Sequence, residues 1–520
     1  MQDAIKRIVI VGGGTAGWIT ACLIAAEHGR PANGRVEITL IESPDIPTIG
    51  VGEGTWPSMR LTLQKIGLSE SSLIRDCDAS FKQGTQFISW SETGKDNRYY
   101  HPFSLPAEYS SLNMAGHWMQ RHSGMSFAEF VTPQAQVIAA GLAPKQISTP
   151  DYAFNVNYGY HFDAGKFAKL LHQHAVENLA VNYVSGNVKR VEAQPDGDIE
   201  AVVLASGDRF EGDLFVDCTG QRGLLINGHF GVDFVSVKDV LFNDAAIAVQ
   251  VPYSNLNDPI ASATQATAVA SGWIWDIGLQ TRRGIGHVYS TAHADEAQAM
   301  VAVQDYVSRV SPASDLDNLD FRMISFEPGY REQFWVRNCV AVGLSGGFIE
   351  PLEASALALI EQAASIISRQ MPVTREIMDV VARRFNEKMH YNWQRVIEFL
   401  KLHYVVSRRD DSDYWRDCRD DSSCPDSLKD KLCVWEQQPP WHEDAPRVDE
   451  LFPSASYQYV LYGMGFKPRY VSEGRFGTDE DRHRVDNALH DSNQKARQML
   501  GLLPSNRELI NAKTSLAGVA

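Results

Sequence analysis

The sequence contains no C-x-x-C pair. Its seven cysteines, Cys22, Cys77, Cys218, Cys339, Cys418, Cys424 and Cys433, are scattered, which argues against a zinc site, predicts no metal centre, and suits a reducing, cytoplasmic setting. No apolar run approaches the ~18 residues of a membrane span. Cations are in deficit: 48 Lys and Arg against 64 Asp and Glu leave a net charge of −16. Nucleic acid and anionic membrane surfaces both need clustered cations and are excluded as partners. Internal repeats and low-complexity tracts are missing as well. The opening "MQDAIKRIVIV" runs directly into a strand, which leaves no room for a signal peptide. What remains is an ordinary globular composition, 44% hydrophobic and 22% charged over 520 residues. That is enough for a large core in two or three intertwined units.

"IKRIVIVGGGTAGWITACLIAAEHG" reads as a buried strand, a glycine turn and a helix, with "RVEITLIES" as the next strand. Within the turn, Gly12, Gly14 and Gly17 keep G-x-G-x-x-G spacing. Gly12 permits the tight turn, Gly14 lets a pyrophosphate approach the backbone, and Gly17 lets helix and strand pack closely. The first helical residues, Thr15 and Ala16, present amides and positive dipole to the phosphates. Glu42 ends the second strand, where a carboxylate accepts from ribose hydroxyls. A lone glycine motif is weak evidence. Here strand, helix, second strand and acidic terminus fall in order.

Two later stretches, "EGDLFVDCTGQRG" and "NCVAVGLSGGFIEP", have the form of short apolar strands ending in glycine turns. Either alone reads as a plain strand–turn corner; with the N-terminal turn they favour FAD over NAD. Beyond about residue 375 the character changes. "REIMDVVARRFNEKMHYNWQRVIEFLKLHY" has helical periodicity with aromatics along one side. "SRRDDSDYWRDCRDDSSCPDSLKDK" reads as a solvated helix–loop segment. "SASYQYVLYGMGF" is apolar and aromatic, suited to capping a cavity.

At "SGWIWDIGLQTRRGIGHVYS" the sequence resembles the flavin-dependent tryptophan halogenases. Their W-x-W-x-I-P signature falls on Trp273, Trp275 and Ile277, with Gly278 in place of the proline. The likeness extends through "VGGGTAGW", "VGEGTWPS", "FKQGTQFISW", "YHFDAGKFAKLL", "DLFVDCTGQRGLL", "GFIEPLEAS" and "HYVVSRRDDSDYW". It implies an α/β fold, a Rossmann-type FAD-binding fold like that of flavin monooxygenases, with a mainly helical substrate-binding and lid module. The implied boundaries are residues 1–375 for a discontinuous FAD-binding module and 376–520 for the helical one. The first carries substrate-side insertions around 95–155 and a sheet around 235–335.

The resemblance also implies roles. FADH2 from a separate reductase, oxygen and a chloride or bromide ion yield hypohalous acid, which halogenates an electron-rich arene. The essential lysine of the F-K motif falls on Lys82, which captures the halogen as a haloamine or directs the acid by a hydrogen bond. The essential glutamate of the P-L-E motif falls on Glu353, as base or stabiliser of the arenium cation. Halide is bound by two backbone amides that fall on Ser355 and Ala356, after Ala354 where the family has serine. Val188, Leu344 and Leu357 complete the cofactor contacts. His101 and Phe103 are stacking partners for a flat substrate, an indole or tryptophan. The resemblance leaves room for a homodimer.

Plainer expectations stand beside these. An isolated lysine is usually solvated. "EPLEASALALI" reads as a helix started by Pro351, with Glu353 favoured in its first turn by the dipole alone. His101 and Phe103 could be core. An FAD-dependent monooxygenase or oxidoreductase acting on an aromatic substrate is the alternative enzyme, and a flavin sensor or carrier the non-enzyme.

Overall fold

The computed structural model describes residues 4–29, 36–46, 52–93, 97–122, 124–468 and 478–516. Residues 1–3, Arg35 and Val51, which belong to stretches quoted above, lie outside the described residues. Two compact units emerge, each assembled from three segments: 1–78, 162–237 and 327–393 in the first, 79–161, 238–326 and 394–520 in the second.

The first unit is built on a six-stranded sheet. Its order is Trp335–Val336, Cys339–Ala341, Leu214–Asp217, Arg7–Val11, Glu37–Glu42 and Asn182–Ser185. All neighbours are parallel except Trp335–Val336, which pairs antiparallel with Cys339–Ala341. Parallel strands bury both faces, and "RIVIV" is accordingly apolar and buried after its first residue. The helix Thr15–His28 follows the first strand and is buried continuously from Gly17 to Ala25. It has no polar face because the helices Ala164–Leu179 and Ser355–Arg369 pack around it. Both later glycine-ended stretches are strands of this sheet. Leu214–Asp217 lies directly beside the first strand, and Cys339–Ala341 one position further out.

The second unit carries a seven-stranded sheet in the order Arg322–Ser325, Ala245–Pro252, Arg282–Tyr289, Gly272–Gly278, Thr264–Val269, Gly84–Ile88 and Arg98–Pro102. Only Thr264–Val269 and Gly84–Ile88 run parallel. Every residue of Gly272–Gly278 is buried. Trp275 faces Gly286 on the neighbouring strand, where a Cβ would stand 2.1 Å from the indole. Gly286 of "RRGIGHVY" thus makes room for Trp275 of the W-x-W pair. Gly278, the departure from proline, is crowded too: a Cβ there would lie 2.9 Å from the Tyr253 hydroxyl. From residue 394 on, the described residues add helices to this unit, including Ser454–Gly463 and Asp479–Leu502.

Candidate active site

In the first unit the glycine turn stands at the carboxyl end of Arg7–Val11, the crevice where open α/β sheets bind ligands. Gly12 has φ +118°, and a Cβ on it would come 2.1 Å from the Cys218 carbonyl oxygen. Gly17 faces the Gly12 carbonyl so closely that a Cβ would lie 2.0 Å away. Gly14 caps the helix without a side chain, and a Cβ there would meet nothing within 4 Å. That open space before a helix N-terminus is a cradle for phosphate. The Glu42 carboxylate closes one side, resting where a Cβ on Gly13 would be 2.2 Å from its Cδ. These residues fit a dinucleotide such as FAD.

The remaining proposed cofactor contacts occupy three places in the same unit. Val188 begins the strand Val188–Ala193 just after Gly186, whose N–H donates to the Glu42 carbonyl at 2.8 Å. Leu344 lies in the turn Gly343–Ser345, whose first glycine would place a Cβ 2.7 Å from Cβ of Ala16. Leu357 is buried in the first turn of Ser355–Arg369. Asp217, fully buried, ties the turn Gly343–Ser345 to the glycine turn that follows its own strand. Its carboxylate accepts from the N–H groups of Leu225 and Ile226, from the N–H and hydroxyl of Thr219, and from the Ser345 hydroxyl.

The segment around Glu353 differs from the sequence expectation. The α-helix starts at Ser355, not at Pro351; a short 3-10 turn, Leu352–Ala354, precedes it. Glu353 is therefore outside the first α-helical turn, at φ +62°, and Ala354 follows at φ +57°. Successive left-handed residues other than glycine cost on the order of 1 kcal/mol or more each. Glu353 thus stands, buried, in a strained bend just ahead of the helix rather than in its first α-helical turn. Ser355 and Ala356, which a helix started by Pro351 would have placed deeper inside it, are the first two residues of the α-helix. Their amides have no carbonyl one turn back within the helix and so are donors for an anion. Ala354 caps the helix with no side-chain hydrogen bond. Nearby, the indole N–H of Trp56 donates to the Glu353 carbonyl at 2.7 Å.

Lys82 belongs to the second unit, at the end of the strand Ser80–Lys82. It is 1% exposed, so the solvated-lysine expectation fails. Its strand pairs antiparallel with "GYH", Lys82 opposite Gly159 and Ser80 opposite His161. The Lys82 ammonium lies 5.5 Å from the ring centre of Phe103. Phe103 is brought there by its own N–H, which donates to the Gln83 carbonyl at 3.0 Å. His101, on Arg98–Pro102, is buried; its Nε2 is 3.0 Å from the Ser456 hydroxyl and its ring meets those of Phe399 and Tyr459. Lys82, Phe103 and an aromatic shelf on His101 thus share one region of this unit.

Sequence reasoning missed His161 and Trp56. His161 is fully buried, with Nε2 2.8 Å from the Thr264 hydroxyl. Burial, and then the Lys82 charge, hold its imidazole well below the usual histidine range, hence neutral at pH 7. Its sequence signal was its place in "YHFDAGKFAKLL", one of the stretches that carry the family likeness.

Comparison with known proteins follows the same outline. The family model described as tryptophan halogenase matches residues 7–476. Tryptophan 6-halogenase ThaL of Streptomyces albogriseolus is 31% identical, over 98% of this chain and 99% of its own. The crystal structure of a tryptophan halogenase from Shewanella frigidimarina is 46% identical and superposes with a TM-score of 0.95, covering 99% of this chain and 98% of that one. BrvH, a flavin-dependent halogenase from Brevundimonas sp. BAL3, is 32% identical with a TM-score of 0.84, covering 98% and 99%. Its sequence throughout, and its fold with it, make this chain a member of the tryptophan halogenase family of flavin-dependent halogenating enzymes.

Proposed function

We propose that the chain replaces a ring hydrogen of an indole-type arene, indole or tryptophan, with chlorine or bromine. The overall balance is arene, halide, a proton, FADH2 and O2 to haloarene, FAD and two waters. Bound reduced flavin supplies the reducing equivalents that let oxygen convert halide to hypohalous acid, and a separate reductase provides it. Gly12, Gly14, Thr15, Ala16, Gly17 and Glu42 hold the dinucleotide, with Val188, Leu344 and Leu357 along it. The amides of Ser355 and Ala356 hold the halide.

Lys82 carries the assignment. A buried ammonium beside an aromatic face has three donors and no acceptor. It hydrogen-bonds the oxygen of hypohalous acid and makes the halogen more electrophilic; that oxygen leaves as water. Glu353 takes the proton from the arenium ring. Phe103 and His101 orient the flat substrate.

The test is a product screen by mass spectrometry: the enzyme with a flavin reductase, FAD and NADH, against indole and tryptophan, with chloride, bromide or neither. Halogenated product only when halide is present supports the proposal. Oxygenated product without halide supports the monooxygenase, and FADH2 oxidation without any product the flavin carrier.

A further inference from the structure

The indole N–H of Trp56 donates at 2.7 Å to the backbone carbonyl of Glu353. That carbonyl belongs to the first of two left-handed residues, Glu353 and Ala354, just ahead of the helix Ser355–Arg369. The bend turns the carbonyl out of the helical ladder, where it needs a donor from elsewhere. Tryptophan is suited to the task because its one polar group donates and does not accept. The indole is itself anchored. Pro57 follows and caps the helix Ser58–Ile66, and two hydroxyls of that helix grip the helix after Glu353. Ser58 Oγ donates to Glu361 at 3.0 Å and Thr62 Oγ1 at 2.5 Å. The segment 56–62 thus holds the segment 353–361 at three points, and the first is the catalytic candidate's own peptide.

We infer that Trp56 is a positioning residue, which fixes the direction of the Glu353 carboxylate by clamping its carbonyl and so governs proton removal and the ring position that is halogenated. The inference rests on the assignment of Glu353 as proton acceptor. Without the indole donor the bend can relax toward the right-handed region, which swings the side chain away. The ties from Ser58 and Thr62 remain, so the change stays local.

Trp56→Phe keeps the ring and removes the donor; Trp56→His keeps a ring N–H. Each is loaded with FAD and compared with the parent enzyme on indole. The readings are product formed per FADH2 consumed, the regioisomer ratio, KM for arene and halide, and oxidant captured by a scavenger. The phenylalanine variant should lose about tenfold in product per FADH2, release the balance as trapped oxidant, and give a mixed isomer pattern at unchanged KM values. The histidine variant should recover much of the coupling. Parental coupling and isomer ratio in Trp56→Phe would overturn the inference. So would equal losses in both variants that track a lowered melting temperature, since Trp56 would then be packing alone. Glu353→Gln, run alongside, separates the two assignments: if it turns over normally, the role of Glu353 fails, whatever Trp56 does.

Discussion

The Lys82 ammonium stands 5.5 Å from the centre of the Phe103 ring. One residue is the candidate that handles the oxidant, the other the candidate wall for the arene. A desolvated cation over an aromatic face gains about 0.5–2 kcal/mol, and Phe103 therefore helps to hold Lys82 besides its proposed contact with the arene. Phe103→Leu should raise KM for indole and lower product per FADH2 together, each by roughly three- to thirtyfold. Steady-state kinetics with indole checks this. A rise in KM alone would confine Phe103 to substrate contact.

Gly14→Val isolates cofactor binding from folding. A side chain at Gly14 meets no protein atom within 4 Å, so the apo-protein should melt as the parent does. FAD affinity should fall about tenfold or more, because the side chain fills the phosphate cradle. Gly17→Val should behave in the opposite manner, since its Cβ would lie 2.0 Å from the Gly12 carbonyl oxygen. It should fail to accumulate as folded protein. Fluorescence titration with FAD and thermal melting of both variants distinguish the two outcomes.

A stability effect of pH follows from two buried carboxyl groups of the first unit. Burial pushes Glu361 up to about 7, its hydroxyl partners Thr62 and Ser58 pulling the other way. Burial, and then the charge of Asp163, push Glu53 up to about 7. Both start from an ordinary value of 4.5. Between those values the folded chain keeps protons that the unfolded chain has released, so stability is full below pH 4.5 and declines as pH rises through 7. Each group is worth on the order of 3 kcal/mol across that window. Glu361→Gln should flatten its share of the decline. Denaturant unfolding of parent and variant at pH 5, 6, 7 and 8 measures the difference; parallel profiles would contradict the assignment.

The nucleotide half of the site was legible because its signals are local. Strand, glycine turn, helix and Glu42 lie within one βαβ stretch, and glycine spacing reports the close approaches directly. Lys82 could be named from its motif, but its burial could not be read, because the strand Ser80–Lys82 is short and its partner Gly159 is remote in sequence. The bend at Glu353 was misread for a different reason. "PLEASALALI" satisfies every helix preference, and alanine and glutamate at positive φ leave no trace in sequence. Nor does a lone tryptophan announce that its N–H will meet a carbonyl nearly three hundred residues away.

The central claim is that Lys82 acts after the oxidant has formed. Lys82→Ala, assayed with a flavin reductase, bromide, indole and an oxidant scavenger, tests it in one vessel. FADH2 consumption should stay near the parental rate while haloindole falls by about two orders of magnitude or more, with the missing oxidant recovered in the scavenger. Haloindole formed at the parental rate would contradict the account, and so would a parallel loss of FADH2 consumption, which would place Lys82 at the flavin step instead.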